Sequence, residues 1–375
     1  MIPGGIYVHL PYCASRCGYC AFVVTTDGSS RDRYLDAVAR EARLVAGEAD
    51  GSPFDSVYLG GGTPSLLPAE AIARLLELLR ERFAIAADAE VTLEANPEDV
   101  TAQAIAAWSA AGVNRISAGI QSLADGELAA VGRRHDAARA RDALEQLAAS
   151  GLSISGDLIL GLPGQTRESF RESLAGLLEA GVEHVSVYLL EVEKSKALEE
   201  ERRLHPERYL SDDAQADAWL EMGRTLEARG FEHYEISNWS RPGRRARHNE
   251  KYWIRADTLG LGVAAHELWR GRRRANVSGL EEYVGDLARG RRPVALDRPI
   301  TAAEAARERV FLGLRLSEGV PVEWVEALVS CAEDVRLWSD YEGWIGEGIL
   351  QRTEGRLRFT ERGFLVSNEV LSRFV

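Results

Sequence analysis

The stretch Gly5-Ile-Tyr-Val-His-Leu10, then Pro-Tyr, then Cys13-Ala-Ser-Arg-Cys17-Gly-Tyr-Cys20, decides the fold. Its first half is a short apolar run with the look of a buried strand. Its second half gathers three of the chain's four cysteines into eight residues. No basic stretch followed by an apolar core opens the chain, so no secretory signal is expected. No run of about 18 apolar residues predicts a membrane helix. A cytoplasmic protein is therefore expected, and there clustered thiols point to metal before disulfide. Three thiolates on a loop can take three corners of a zinc tetrahedron or three irons of a [4Fe–4S] cubane. Zinc normally takes four protein ligands, and a second cysteine knuckle is missing; His9 could serve, but it sits in the strand. A cluster held by three thiolates leaves one iron open to bind a small molecule. The residues favour the cluster and leave zinc open. Cys331, in the helical pattern VEWVEALVSCAEDV, reads as a small core residue.

Composition narrows the class. A chain of 375 residues suggests about two or three domains. The 45% hydrophobic and 27% charged fractions are those of a globular protein. A net charge of −13 argues against a nucleic-acid partner of the usual basic kind. Four cysteines are too few for a disulfide scaffold.

Outward from the cysteines, strand-like runs alternate with helical patterns. Strands are expected at 5–10, 56–60, 90–95, 113–120, 152–160 and 184–190, with helices at 31–48, 69–83, 101–110, 136–149 and 166–179. This βα rhythm over residues 1–190 predicts an α/β fold, an open three-quarter (β/α)6 barrel with function at the C-terminal strand ends. Residues 191–300 read as a barrel extension: charged and irregular at 191–215, a helix at 214–229, a strand at 231–236, then Gly/Arg-rich loops, His248-Asn-Glu-Lys-Tyr-Trp253 being one of them. Residues 301–375 read as a small helical, winged-helix-like domain ending in a hairpin that turns at Glu354-Gly355.

A C-x3-C-x2-C loop after a strand resembles the signature of the radical S-adenosylmethionine (SAM) superfamily. The resemblance implies a [4Fe–4S] cluster on Cys13, Cys17 and Cys20, with SAM chelating the open iron. Gly60-Gly61-Gly62-Thr63-Pro64-Ser65 resembles the segment that holds the SAM amino group. Read alone, it is a glycine turn that lets backbone approach a ligand. Glu94, Gln121, Arg133 and Asp157 near successive strand ends could surround one ligand with acceptors and a cation. The resemblance assigns Tyr7, Gly61, Gly62, Thr63, Glu94, Gln121, Arg133 and Asp157 to SAM.

Asp157-Leu-Ile-Leu-Gly161-Leu-Pro163-Gly164-Gln165-Thr166 resembles the oxygen-independent coproporphyrinogen III oxidase family and its relatives, a likeness that spans residues 5–375 with the EISNW and RFTERG segments. Within that family, His248-Asn249-Glu250-Lys251-Tyr252-Trp253 resembles the heme-binding motif of the heme-chaperone branch. The resemblance implies heme binding by His248, Asn249, Tyr252 and Trp253. The residues agree: a histidine can ligate iron, aromatic faces suit a flat macrocycle, and Arg241, Arg244, Arg245 and Arg247 suit carboxylates. Arg270-Gly-Arg-Arg-Arg274 reads as solvated surface or a propionate contact. The oxidase carries a further cysteine where this chain has Phe22, and a longer segment before the cysteines. Both departures favour the chaperone. Others alter pocket details: EVEKSKALEE stands where a Gly-Thr pair is usual, and GLGVAAHEL keeps His266 in a changed loop. The expected function is a heme chaperone serving an unidentified heme acceptor, with a flavodoxin or ferredoxin as electron donor if SAM is cleaved. The alternative is the oxidase, which decarboxylates porphyrinogen propionates.

Overall fold

Strand β1 (Gly4–Leu10) shows the rule on which the fold is built. Ile6, Val8 and Leu10 are fully buried in the apolar core, while Gly5, Tyr7 and His9 alternate with them and face the other way. The computed structural model describes residues 2–331 and 335–374. In it β2 (Pro53–Gly61), β3 (Ala84–Ala95), β4 (Arg115–Gln121), β5 (Ser153–Leu160) and β6 (His184–Leu189) follow β1 in order, all parallel. The same alternation runs through them. Val57, Leu59, Val91, Leu93, Ile116, Ala118, Ile154, Leu158, Val185 and Val187 enter the core. Tyr58, Glu94, Arg115, Ser117, Ser155, Asp157, His184 and Ser186 line a cavity on the opposite face. This barrel is therefore hollow and polar inside, unlike closed barrels packed with branched aliphatics.

Helices α1 (Arg31–Ala49), α2 (Ala69–Arg82), α3 (Ala102–Ala110), α4 (Asp125–Ala130), α5 (Ala137–Ala148) and α6 (Arg167–Glu179) form the crossovers. The α6 start is fixed by a capping box of Thr166 and Ser169. The expected elements are found, with ends shifted by a few residues; β3 begins six residues earlier, at Ala84 rather than 90.

Two readings of the sequence need correction. Residues 191–215 are not irregular: α7 (Lys196–Leu204) lies within them, then α8 (Asp212–Ala228) begins. After β7 (Glu232–Glu235) and β8 (Asn238–Ser240), the HNEKYW segment is no loop but helix α9 (Arg247–Trp253). Strands β9 (Thr258–Leu261), β10 (His266–Trp269) and β11 (Arg272–Asn276), helix α10 (Leu280–Ala288) and strand β12 (Val294–Pro299) come next. They extend the sheet to twelve strands in the order β12-β11-β10-β9-β1-β2-β3-β4-β5-β6-β8-β7, with β9 parallel to β1.

The C-terminal part holds α11 (Ala302–Gly313), β13 (Val320–Pro321), α12 (Val322–Cys331), α13 (Val335–Gly346), the hairpin of β14 (Leu350–Thr353) and β15 (Arg356–Phe359), then α14 (Glu361–Leu365) and α15 (Ser367–Ser372). The hairpin turns on Glu354 at φ +53° and Gly355 at φ +76°, the paired left-handed residues of a two-residue turn. The Cys331 side chain, expected in the core, lies outside the described residues. Among the described residues no helix is long and apolar enough to cross a membrane.

Candidate functional site

The chain leaves β1 at Leu10 and loops over the end of the sheet. Backbone bonds from Cys13 N–H to Thr25 O (2.9 Å), Thr25 N–H to Pro11 O (2.8 Å) and Gly18 N–H to Val131 O (3.0 Å) fix the loop. His9 Nε2 adds a 2.8 Å bond to Val23 O. Cys13, Cys17 and Cys20 are free, half-buried thiols. All three line a cavity of about 440 Å³, together with Gly61, Gly62, Thr63, Glu94, Gln121, Arg133 and Asp157. Tyr7 is not in that wall. Its hydroxyl bonds His9 Nδ1 at 2.9 Å, one layer behind, and Tyr58 takes the wall position.

The glycines after β2 are demanded by packing as well as by any ligand. Gly61 has φ +103°, and a Cβ there would lie 2.3 Å from His9 Nδ1. A Cβ on Gly62 would lie 2.6 Å from Leu10 O. The turn can press against the cysteine loop only because both side chains are absent.

Polar groups ring the cavity with defined partners. Thr63 Oγ1 donates to Cys13 Sγ at 3.4 Å, and Arg133 Nη1 approaches Cys17 Sγ at 3.7 Å. Arg133 Nη2 is anchored by Asn96 Oδ1 (2.6 Å) and Gly119 O (2.8 Å). Arg133 reaches the site from the turn after α4, not from a strand end. Glu94 accepts from Tyr58 OH (2.8 Å) and Gly61 N–H (2.9 Å), and burial pushes its carboxyl up to about 7. Burial also raises Asp157, held by Ser117 Oγ at 2.9 Å and Ser155 Oγ at 3.2 Å. Gln121 sits at φ +66° beside a register shift in β4, which turns it to the cavity. Burial raises the Cys13 and Cys20 thiols.

Helix α9 closes the opposite end. His248 is 1% exposed. Its Nδ1 bonds Ser56 Oγ at 3.0 Å and its Nε2 bonds Tyr252 OH at 3.0 Å. Burial lowers its pKa to about 3, with the nearby Lys251 charge adding to the effect. Asn249 lines the cavity; Trp253 packs under Arg315, 4.5 Å from its ring centre. The neighbouring arginines are engaged elsewhere. Arg241 covers Phe231, Arg244 pairs with Glu183, Arg245 pairs with Glu318 and Arg247 donates to Asp88 O. In the second basic stretch, Arg272 pairs with Asp297, Arg273 with Glu308 and Arg274 with Glu267. Much of the charge in both clusters is thus paired within the protein, while Arg241 and Arg247 contact a ring or a backbone carbonyl and no carboxylate among the described residues.

Residues 7–177 match the radical SAM superfamily, and residues 300–366 match the HemN C-terminal domain. The heme chaperone HemW of Mycobacterium tuberculosis is 38% identical over 374 residues, covering 98% of this chain and 94% of that protein. This chain belongs to the HemW family. The HemW of Escherichia coli is 31% identical over 385 residues, covering 100% of this chain and 98% of its own. The structure of coproporphyrinogen III oxidase (HemN) from Escherichia coli superposes with a TM-score of 0.83 at 24% identity, over 99% of this chain and 90% of that one, and so shares its fold.

For a HemW family member the radical SAM match implies a [4Fe–4S] cluster and SAM, and the donor set fits them. Three free thiols share one cavity wall, with a hydroxyl and a guanidinium donating toward their sulfurs, as an anionic cluster requires. Among the described residues no group of three or more His, Cys, Asp or Glu side chains converges on a single ion. Thiols spaced over several irons do not need to converge.

The sequence reading missed Tyr58, Asn96, Arg115, Ser117, Ser155, His184, Ser186 and Tyr188 in the wall. A signal for most of them was present. Six successive strands alternate polar and apolar residues, and a parallel strand covered by helices has no reason to do so unless its inner face meets a ligand or water.

Proposed function

We propose that this HemW family member is a heme chaperone, which binds heme and passes it to acceptor proteins. It would carry a [4Fe–4S] cluster on Cys13, Cys17 and Cys20, with SAM on the open iron. The observation that carries the reading is a set of three free thiols opening onto one polar cavity whose far end is closed by the HNEKYW helix. The names of relatives along nearly the whole chain support it. The bound cluster and SAM supply one-electron chemistry. The protein's part is positioning. Thr63 and Arg133 donate toward the sulfurs, Glu94 and Asp157 accept from ligand amines and hydroxyls, Gln121 and the 61–62 backbone complete the pocket, and Tyr7 holds His9 behind it. Phe22, 64% exposed, joins Tyr188 and Leu189 in an apolar rim around the cysteine end of the cavity.

Heme would engage His248, Asn249, Tyr252 and Trp253. Ligation through His248 requires its ring to leave Ser56 or Tyr252. We propose three parts: a barrel over 1–190, an extension carrying the heme motif over 191–300, and a C-terminal winged-helix-like domain over 301–375. The protein would act in the cytoplasm, with an electron donor such as a flavodoxin or ferredoxin engaged if SAM is cleaved.

The test is transfer. Heme-loaded protein is mixed with a heme-free hemoprotein, and the acceptor's own spectrum is followed. Heme passing faster than its spontaneous release supports the reading. Retention of heme, with vinyl product formed from coproporphyrinogen III under SAM and reductant, replaces it with the oxidase.

A further inference from the structure

The two basic clusters that the sequence offers are engaged with protein groups; a cation inside the barrel is only loosely held. Arg115, the first residue of β4, is 4% exposed and lines the cavity. Among the described residues its guanidinium makes one hydrogen bond, a 3.5 Å contact from Nη1 to Ser153 Oγ. Among the described residues no carboxylate lies within ion-pair distance of it. Asp157 is close enough to feel its charge, but Ser117 and Ser155 hold that carboxylate. A buried guanidinium with unused donors is costly, and a polar cavity beside it invites an anion.

Position separates this cation from the SAM end. Arg133 is anchored on Gly119 O, four residues further along β4, which is roughly 13 Å of strand. Arg115 is register partner to Thr92, two residues beyond Glu90, whose carboxylate holds the first turn of α9. Asn249 of that helix lines the same cavity, and its side-chain amide has no hydrogen-bond partner among the described residues. Two groups with spare donors thus face the bore at its lower end.

The geometry points to a carboxylate receptor at the floor of the bore, where Arg115 and the Asn249 amide take a carboxylate arm of the bound cargo. Resting on the heme-chaperone reading, that arm is a heme propionate. One propionate enters the bore, and the macrocycle stays toward wider space. No bond is made or broken in this binding.

Heme and heme dimethyl ester, which lacks the carboxylates, are titrated in parallel into the full chain and followed by Soret absorption. The proteins are wild type, Arg115→Gln and Arg115→Lys, with folding checked by thermal melting and SAM binding by equilibrium dialysis. Wild type should prefer the acid over the ester by at least about tenfold, the worth of one charge-assisted contact. Arg115→Gln should abolish that preference, leave ester affinity unchanged and leave SAM binding intact; Arg115→Lys should keep part of it. Heme binding without acid preference, or equal loss of acid and ester in Arg115→Gln, overturns this inference and leaves the chaperone reading standing. Loss of SAM binding alone also overturns it, because the carboxylate would then be that of SAM. Absence of heme binding in wild type overturns both. Should Arg115→Gln not fold, the wild-type preference and the lysine variant decide the matter.

Discussion

His248 cannot ligate a metal in the conformation seen here, because both ring nitrogens are hydrogen-bonded. Release of Nε2 competes with the Tyr252 hydroxyl, so Tyr252→Phe keeps the ring, removes the competitor and should tighten heme binding several-fold in a Soret titration. A pKa lowered to about 3 keeps the imidazole neutral at ordinary pH. Heme binding should then show no histidine titration between about pH 5.5 and 8, where an unperturbed imidazole would titrate near 6.5. A second buried group makes a separate prediction. Glu41 accepts from Gly262 N–H (2.8 Å), Asn276 Nδ2 (2.6 Å) and Tyr283 OH (2.5 Å), yet burial raises its carboxyl to about 7. Its folded pKa exceeds its unfolded one, so its stability contribution is present below about pH 4.5 and is lost as pH rises to about 7. Urea denaturation should show wild type losing more stability than Glu41→Gln between pH 5 and 7.5, by a margin on the order of 2 kcal/mol. Equal slopes would contradict the burial argument.

At the scale of elements, the glycine turn after β2 makes the sharpest case. Gly61→Ala puts a Cβ against the His9 ring in a left-handed backbone. Strain alone costs on the order of 1–3 kcal/mol. A lower melting temperature and weaker SAM binding should appear together, because the same turn forms the pocket wall. Such turns were legible, since glycine runs after strands have few other uses. Helix α9 was not. Its N-cap is Ala246, which offers no side-chain acceptor; Glu90 of β3 accepts from the N–H groups of Arg247 and His248 instead. A cap supplied by a residue more than 150 positions away leaves no local trace. Helix α7 was hidden differently. KALEEERRL has only Leu198 buried, so it lacks the apolar stripe by which helices are recognised.

At the scale of the whole molecule, the barrel was readable because six βα units repeat in order. The sheet's continuation was not, because β9 pairs with β1 across some 250 residues of chain, a tertiary choice. The same separation of labour governs the cofactor. The apolar core runs through strands, helices and C-terminal part, while the cysteine loop contributes little to it. A variant with Cys13, Cys17 and Cys20 all changed to Ser should keep its far-ultraviolet circular dichroism and lose the visible absorption of a reconstituted cluster. In hydrogen exchange only residues around 12–25 should lose protection. Global unfolding of that variant would show the cluster to be a folding element. The central claim is that this molecule carries heme. It is tested most directly by anaerobic heme titration of cluster-reconstituted protein, followed by absorption, beside His248→Ala. A saturable Soret shift in the wild type that is lost in the variant is the expected result. An unchanged shift in the variant, or no specific shift in the wild type, would contradict the account.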